Sequence, residues 1–172
     1  MEKKELIKSI KKILKEKGYF ILKNNVFVIE YSECFVIIKL TFYNGFAELN
    51  YNISFKAIHN IIDINEDFKN WSNCDFNIIE RLNHYGGVDG EFEYNLLSLE
   101  EHKLYDELPK MLNLYIEPFN NSFKEIIEFI NKGRLYEEYS TKNIYVEPYR
   151  FLPKAKKFLL ENGMRPIEEF FE

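Results

Sequence analysis

The segment HYGGVDGEFE brings His84, Asp89, Glu91 and Glu93 within ten residues of one another. A histidine beside carboxylates is the raw material of general acid–base chemistry, because one group can hold a proton while another takes it. Gly86, Gly87 and Gly90 give the same segment the backbone freedom of a tight connection between two strands. No GK[ST] follows these glycines, and the next residues have strand character, whereas a phosphate cradle needs a helix N-terminus. Two expectations therefore stand side by side: a hydrolase-like site using His84, Asp89 and Glu91, or a plain hairpin connection.

Other chemistry is less complete. His102 and Asp106 stand four apart with Glu101 beside them, but a catalytic zinc takes three protein ligands and H-E-x-x-H is absent. Neither a metal nor a cofactor is expected. Cys34 and Cys74 show no CxxC spacing, and the adjacent Glu33 and Asp75 tend to raise a thiol pKa and suppress the reactive thiolate. Ser54 falls in a strand pattern, Ser98 with Glu101 makes a capping-box pattern, and no G-x-S-x-G elbow occurs.

The charge is unevenly placed. The chain carries a net −5, yet residues 1–17 hold seven lysines against Glu2, Glu5 and Glu16, leaving that stretch at +4 and the rest at −9. Lys4, Lys8, Lys11, Lys12 and Lys15 fall opposite Leu6, Ile7, Ile10, Ile13 and Leu14 at helical spacing. That lysine face reads as an ordinary solvated surface or as a binding site for nucleic acid, an anionic membrane or an acidic partner. The acidic remainder and the lack of an RNP or finger pattern disfavour nucleic acid.

These groups need elements to hold them. A helix is expected from about residue 2 to 17, closed by Gly18. Strand patterns follow over Tyr19–Leu22 and Val26–Tyr31, and then FVIIKLTFY and FAELNYNISF flank Asn44-Gly45 as a hairpin. Val36, Ile38, Leu40 and Phe42 then share one face with Ala47, Leu49, Tyr51, Ile53 and Phe55. Glu48, Asn50, Asn52 and Ser54 fall on the other, which is expected to look toward water or a polar partner, as a plain solvated face or a binding surface. Asp75–Leu82 and Glu91–Leu97 read as two more strands, making an antiparallel sheet of about five.

Helices are expected after Ser98, kinked or ended by Pro109, from Pro118 or Ser122 to Gly133, and from Pro153 to Gly163, with a short β-like stretch at Asn143–Glu147. With no linker or repeat, the whole reads as a single α+β domain over residues 1–172. Aromatics make up 17% of the chain, which implies either an aromatic binding surface or the imprint of an A/T-rich coding genome.

The opening ELIKSIKKILKEKGY, the following NNVFVIEY, CDFNIIERL and the late IEPFNNSFKEIIEFI resemble the domain-of-unknown-function family numbered 4304 over most of residues 3–132. The resemblance implies an amphipathic helix ending in Gly and an aromatic residue, then strands, then a late helix of similar apolar rhythm. It implies no activity and no catalytic residues.

No apolar run is long enough to span a bilayer, no signal-peptide core opens the chain, and two cysteines suit a reducing cytoplasm. The leading expectation is a non-catalytic, cytoplasmic protein-binding domain. A basic partner would complement the acidic body, as in an immunity protein that neutralises a basic toxin.

Overall fold

A computed structural model describes residues 1–68, 79–81, 95–132 and 153–166. Helix α1 (Lys3–Glu16) leads to a short β1 (Phe20–Ile21), then β2 (Val26–Glu30), β3 (Cys34–Tyr43), β4 (Phe46–Phe55), α2 (Ile64–Asp67) and β5 (Ile79–Arg81). Helices α3 (Glu101–Met111), α4 (Phe123–Asn131) and α5 (Pro153–Glu161) follow. The architecture is α+β. The sheet order is β1-β2-β3-β4-β5 and every pairing is antiparallel. Its body is the three strands β2 to β4, while β1 and the described part of β5 are only two and three residues long.

The register of the β3–β4 hairpin follows from its turn. Tyr43 pairs with Phe46 across Asn44-Gly45, and Gly45 takes φ 73°, a value that disfavours residues with a Cβ. Each subsequent pair is thereby fixed: Leu40 opposite Leu49, Ile38 opposite Tyr51, Val36 opposite Ile53. Asn95 latches the turn end, its Oδ1 accepting from Ala47 N at 3.0 Å and its Nδ2 donating to the Gly45 carbonyl at 2.9 Å.

The apolar face of the hairpin lies under α1, α3, α4 and α5 in one core that includes Leu6, Ile10, Leu14, Tyr51, Phe55 and Phe119. Much of the aromatic content is spent here, with Phe55 edge-on to Phe123 at 6.0 Å and Phe119 edge-on to Phe129 at 5.6 Å. On the opposite face Val26, Val28, Phe35 and Ile37 meet Phe68 in a second, smaller cluster.

Four expectations are corrected by the fold. Glu48, Asn52 and Ser54 do not look toward water: they are 2%, 1% and 1% exposed, and Asn50 is half-buried. Burial comes with the position, because Ser54 and Asn52 pair with Phe35 and Ile37, which the second apolar cluster covers. Ser98 caps no helix. It closes a 3-10 turn over Leu96–Ser98, Glu100 is the residue before α3, and the Glu101 carboxylate accepts from Ser9 Oγ instead. That turn also replaces the end of the strand expected at Glu91–Leu97, Asn95 accepting from Leu97 N at 3.1 Å; residues 91–94 lie outside the described residues.

Helix α3 does not end at Pro109, the second of the outcomes expected there; it runs through that residue and then loosens into a π turn over Leu112–Ile116. The missing proline N–H costs one helical bond, while Leu104, Leu108, Met111, Leu112, Tyr115 and Ile116 stay buried on either side of it. The expected stretch Asn143–Glu147 lies outside the described residues.

Candidate functional site

Helix α1 divides its residues between two environments. Leu6, Ile10, Ile13 and Leu14 are at most 3% exposed, whereas Lys4, Lys8, Lys12 and Lys15 stand exposed and Lys11 half-buried. Positions 4, 8, 11 and 15 fall on one line along a helix, a stripe about 16 Å long at 1.5 Å per residue.

Neighbouring lysines are engaged, and those of the stripe make no ion pair among the described residues. Lys3 Nζ lies 4.4 Å over the Phe42 ring, Lys12 Nζ 5.3 Å over the Tyr105 ring, and Lys17 Nζ donates to Asn113 Oδ1 at 2.9 Å. Lys4, Lys8, Lys11 and Lys15 make no ion pair with any described residue. Like charges at this spacing repel, so the stripe costs the free protein a few tenths of a kcal/mol per pair, on the order of 0.2–0.5.

The helix is fixed at both ends and at its middle. Glu5 Oε2 accepts from Glu2 N at 3.2 Å in the first turn. At the last turn Gly18 adopts φ 87° and the amides of Gly18 and Tyr19 donate to the Lys15 and Leu14 carbonyls, each at 3.0 Å. Between them Ser9 Oγ donates to Glu101 Oε1 at 2.8 Å. The lysines are thus presented on a rigid support.

A second polar grouping sits on the other face of β4. Tyr43 Oη donates to Glu48 Oε1 at 3.2 Å and Asn50 Nδ2 donates to the same oxygen at 3.0 Å. Asn52 Oδ1 and Ser54 Oγ are buried and have no hydrogen-bond partner among the described residues. Such groups cost roughly 1–3 kcal/mol each when buried unsatisfied.

A third grouping joins the β2–β3 turn to the residues before α4. Tyr31 Oη donates to Glu117 Oε2 at 3.2 Å. Burial, the Glu117 charge and this hydrogen bond together push the Tyr31 phenol well up, and burial does the same for Tyr19, helped by Tyr31 and Glu117. The Cys34 thiol is pushed up to about 12, chiefly by burial; Lys56 opposes and Glu33 adds to the rise. The sequence assigned that suppression to Glu33, but burial is the larger cause. A thiol of this kind is not a nucleophile near neutrality.

His84, Asp89 and Glu91 lie outside the described residues, as do Glu93 and Cys74. His102 and Asp106 are exposed on α3, His102 Nδ1 stands 3.5 Å from Glu100 Oε2, and Glu101 is turned to Ser9. Among the described residues no three His, Cys, Asp or Glu side chains converge as metal ligands, and no helix is long and apolar enough to cross a membrane.

Comparison with protein-family models, curated proteins and solved structures finds no match for the chain. Two contacts that organise the site had no signal in the sequence. Ser9–Glu101 and Asn95–Ala47 join positions 92 and 48 residues apart, and neither follows a local spacing rule.

Proposed function

We propose that this chain is a non-catalytic binding domain whose contact surface is the lysine face of α1. The observation that supports this reading is the rigidly mounted stripe of Lys4, Lys8, Lys11 and Lys15, which makes no ion pair among the described residues, in a chain of net charge −5. Concentrating positive charge on one helix of an acidic protein orients it toward an anionic partner before contact and speeds productive encounter. The family resemblance carries a fold expectation and leaves the partner open.

A second reading keeps the basic partner, in the manner of an immunity protein. It is favoured by the α2 turn, where Ile62 is 87% exposed beside Asp63, Glu66 and Asp67. Two of those carboxylates already serve the turn, Asp67 Oδ2 accepting from the amides of Ile62 and Asp63 at 2.9 Å, and Asp63 Oδ1 from Asn65 at 2.8 Å. The lysine stripe has no comparable internal duty, so it ranks first.

Chromatography on heparin at low ionic strength tests the proposal. The native protein is expected to be retained and to elute as salt rises, and a variant carrying Lys4→Gln, Lys8→Gln, Lys11→Gln and Lys15→Gln is expected in the flow-through. Native protein in the flow-through would overturn the proposal.

A further inference from the structure

We infer that the occupant of the lysine face is a short acidic segment of a partner protein; this rests on the reading of that face as a contact surface. Three features of α1 select this occupant among anionic ones.

The first is what the face lacks. The exposed positions from Lys4 to Lys15 are Lys4, Glu5, Lys8, Lys12 and Lys15, none of them aromatic or apolar; Lys11 and Ile7 are half-buried, and Ile7 packs against the core. A helix that lies in a lipid surface buries its apolar side in the acyl boundary, but in α1 that side is already committed, Leu6, Ile10 and Leu14 being 0% exposed. Single-stranded nucleic acid is held by aromatic platforms on which bases stack, and the half-buried rings beside this face, Phe42 and Tyr105, already lie under Lys3 and Lys12.

The second is length. The stripe runs about 16 Å. A polyphosphate chain continues past it with its charge undiminished and meets a remainder of net charge −9. An acidic peptide segment of about five extended residues, at 3.3 Å each, begins and ends within the stripe.

The third is the rim. Glu2 stands just before α1 and Glu16 closes its last turn, so a carboxylate lies beyond each end of the Lys4–Lys15 stripe, while Lys3 and Lys17 are turned to Phe42 and Asn113. A protein segment can match that alternation with acids at its centre and a basic or neutral residue at each end. A uniform polyanion cannot, and it loses energy at both ends.

Fluorescence anisotropy with three probes at low salt tests the inference: a labelled oligoglutamate of about five glutamates with a neutral residue at each end, matched to the stripe, an oligouridylate of equal charge, and phosphatidylserine vesicles. Native protein is expected to bind oligoglutamate more tightly than either other probe, and the Lys4→Gln, Lys8→Gln, Lys11→Gln, Lys15→Gln variant to bind it about tenfold more weakly. Tighter binding of oligouridylate or vesicles would overturn the choice of occupant and leave the contact surface standing. Equal oligoglutamate binding by variant and native protein, or no binding of any probe, would overturn the surface as well.

Discussion

Ser9 Oγ donates to Glu101 Oε1 at 2.8 Å, joining α1 to the first turn of α3 across 92 residues of sequence. Ser9 is 2% exposed and its carboxylate partner stands at the surface, so the two substitutions are not equivalent. Ser9→Ala removes a buried hydroxyl together with its bond and is expected to cost about 0.5–1 kcal/mol, partly offset by alanine's helix propensity. Glu101→Ala strands the hydroxyl and is expected to cost about 1–2 kcal/mol. Ile10→Ala, on the same buried face, is expected to cost about 2–5 kcal/mol. Urea unfolding midpoints check the order of the three.

Cys34 is expected to resist alkylation in the folded protein. Its thiol is pushed up to about 12, so near pH 8 almost none is thiolate. Iodoacetamide labelling followed by peptide mapping should leave the Cys34 peptide unmodified until denaturant is added. Labelling of Cys34 at the rate of an unfolded chain would show the burial to be wrong.

Alkaline pH is expected to destabilise the fold. Cys34, Tyr31 and Tyr19 all have pKa values raised by burial above 9.0 for the thiol and 10.0 for the phenols. As pH rises past those ordinary values the unfolded chain releases protons that the folded chain retains, so their contribution is intact below pH 9 and declines above it. Thermal midpoints measured from pH 8 to pH 11 should fall, and Tyr31→Phe should make the fall shallower. A flat profile would contradict the assignment.

The buried polar row on β4 should respond to mutation in the opposite sense to most core positions. Ser54→Ala removes a buried hydroxyl that has no hydrogen-bond partner among the described residues, next to Phe35 in the register. It is expected to be neutral or to stabilise by up to about 1 kcal/mol. A loss of about 1 kcal/mol or more would mean that Ser54 Oγ has a partner in solution.

Local rules made much of this fold readable. Period 3.6 with Gly18 gave α1, Asn44-Gly45 gave the hairpin and its register, and Ser122, whose Oγ accepts from Glu125 N, marked the start of α4. What was not readable depended on distant chain. Alternation along β4 told correctly which side chains share a face, but whether that face meets water is decided by what packs over it, and here it is buried. Ser98 and Glu101 had the spacing of a cap, yet Ser9, from the other end of the chain, holds the Glu101 carboxylate. The lysine face was legible as charge. That the lysines of the stripe lack ion pairs among the described residues while Lys12 and Lys17 are engaged required the positions of Tyr105 and Asn113.

The location of binding is the most direct test, and amide chemical-shift mapping during titration with oligoglutamate reports it. Perturbations are expected to be confined to α1, centred on Lys4, Lys8, Lys11 and Lys15, with the strands β2 to β4 unchanged. Shifts centred on Asp63–Asp67 of the α2 turn, or spread evenly over the protein, would contradict the lysine face as the contact surface.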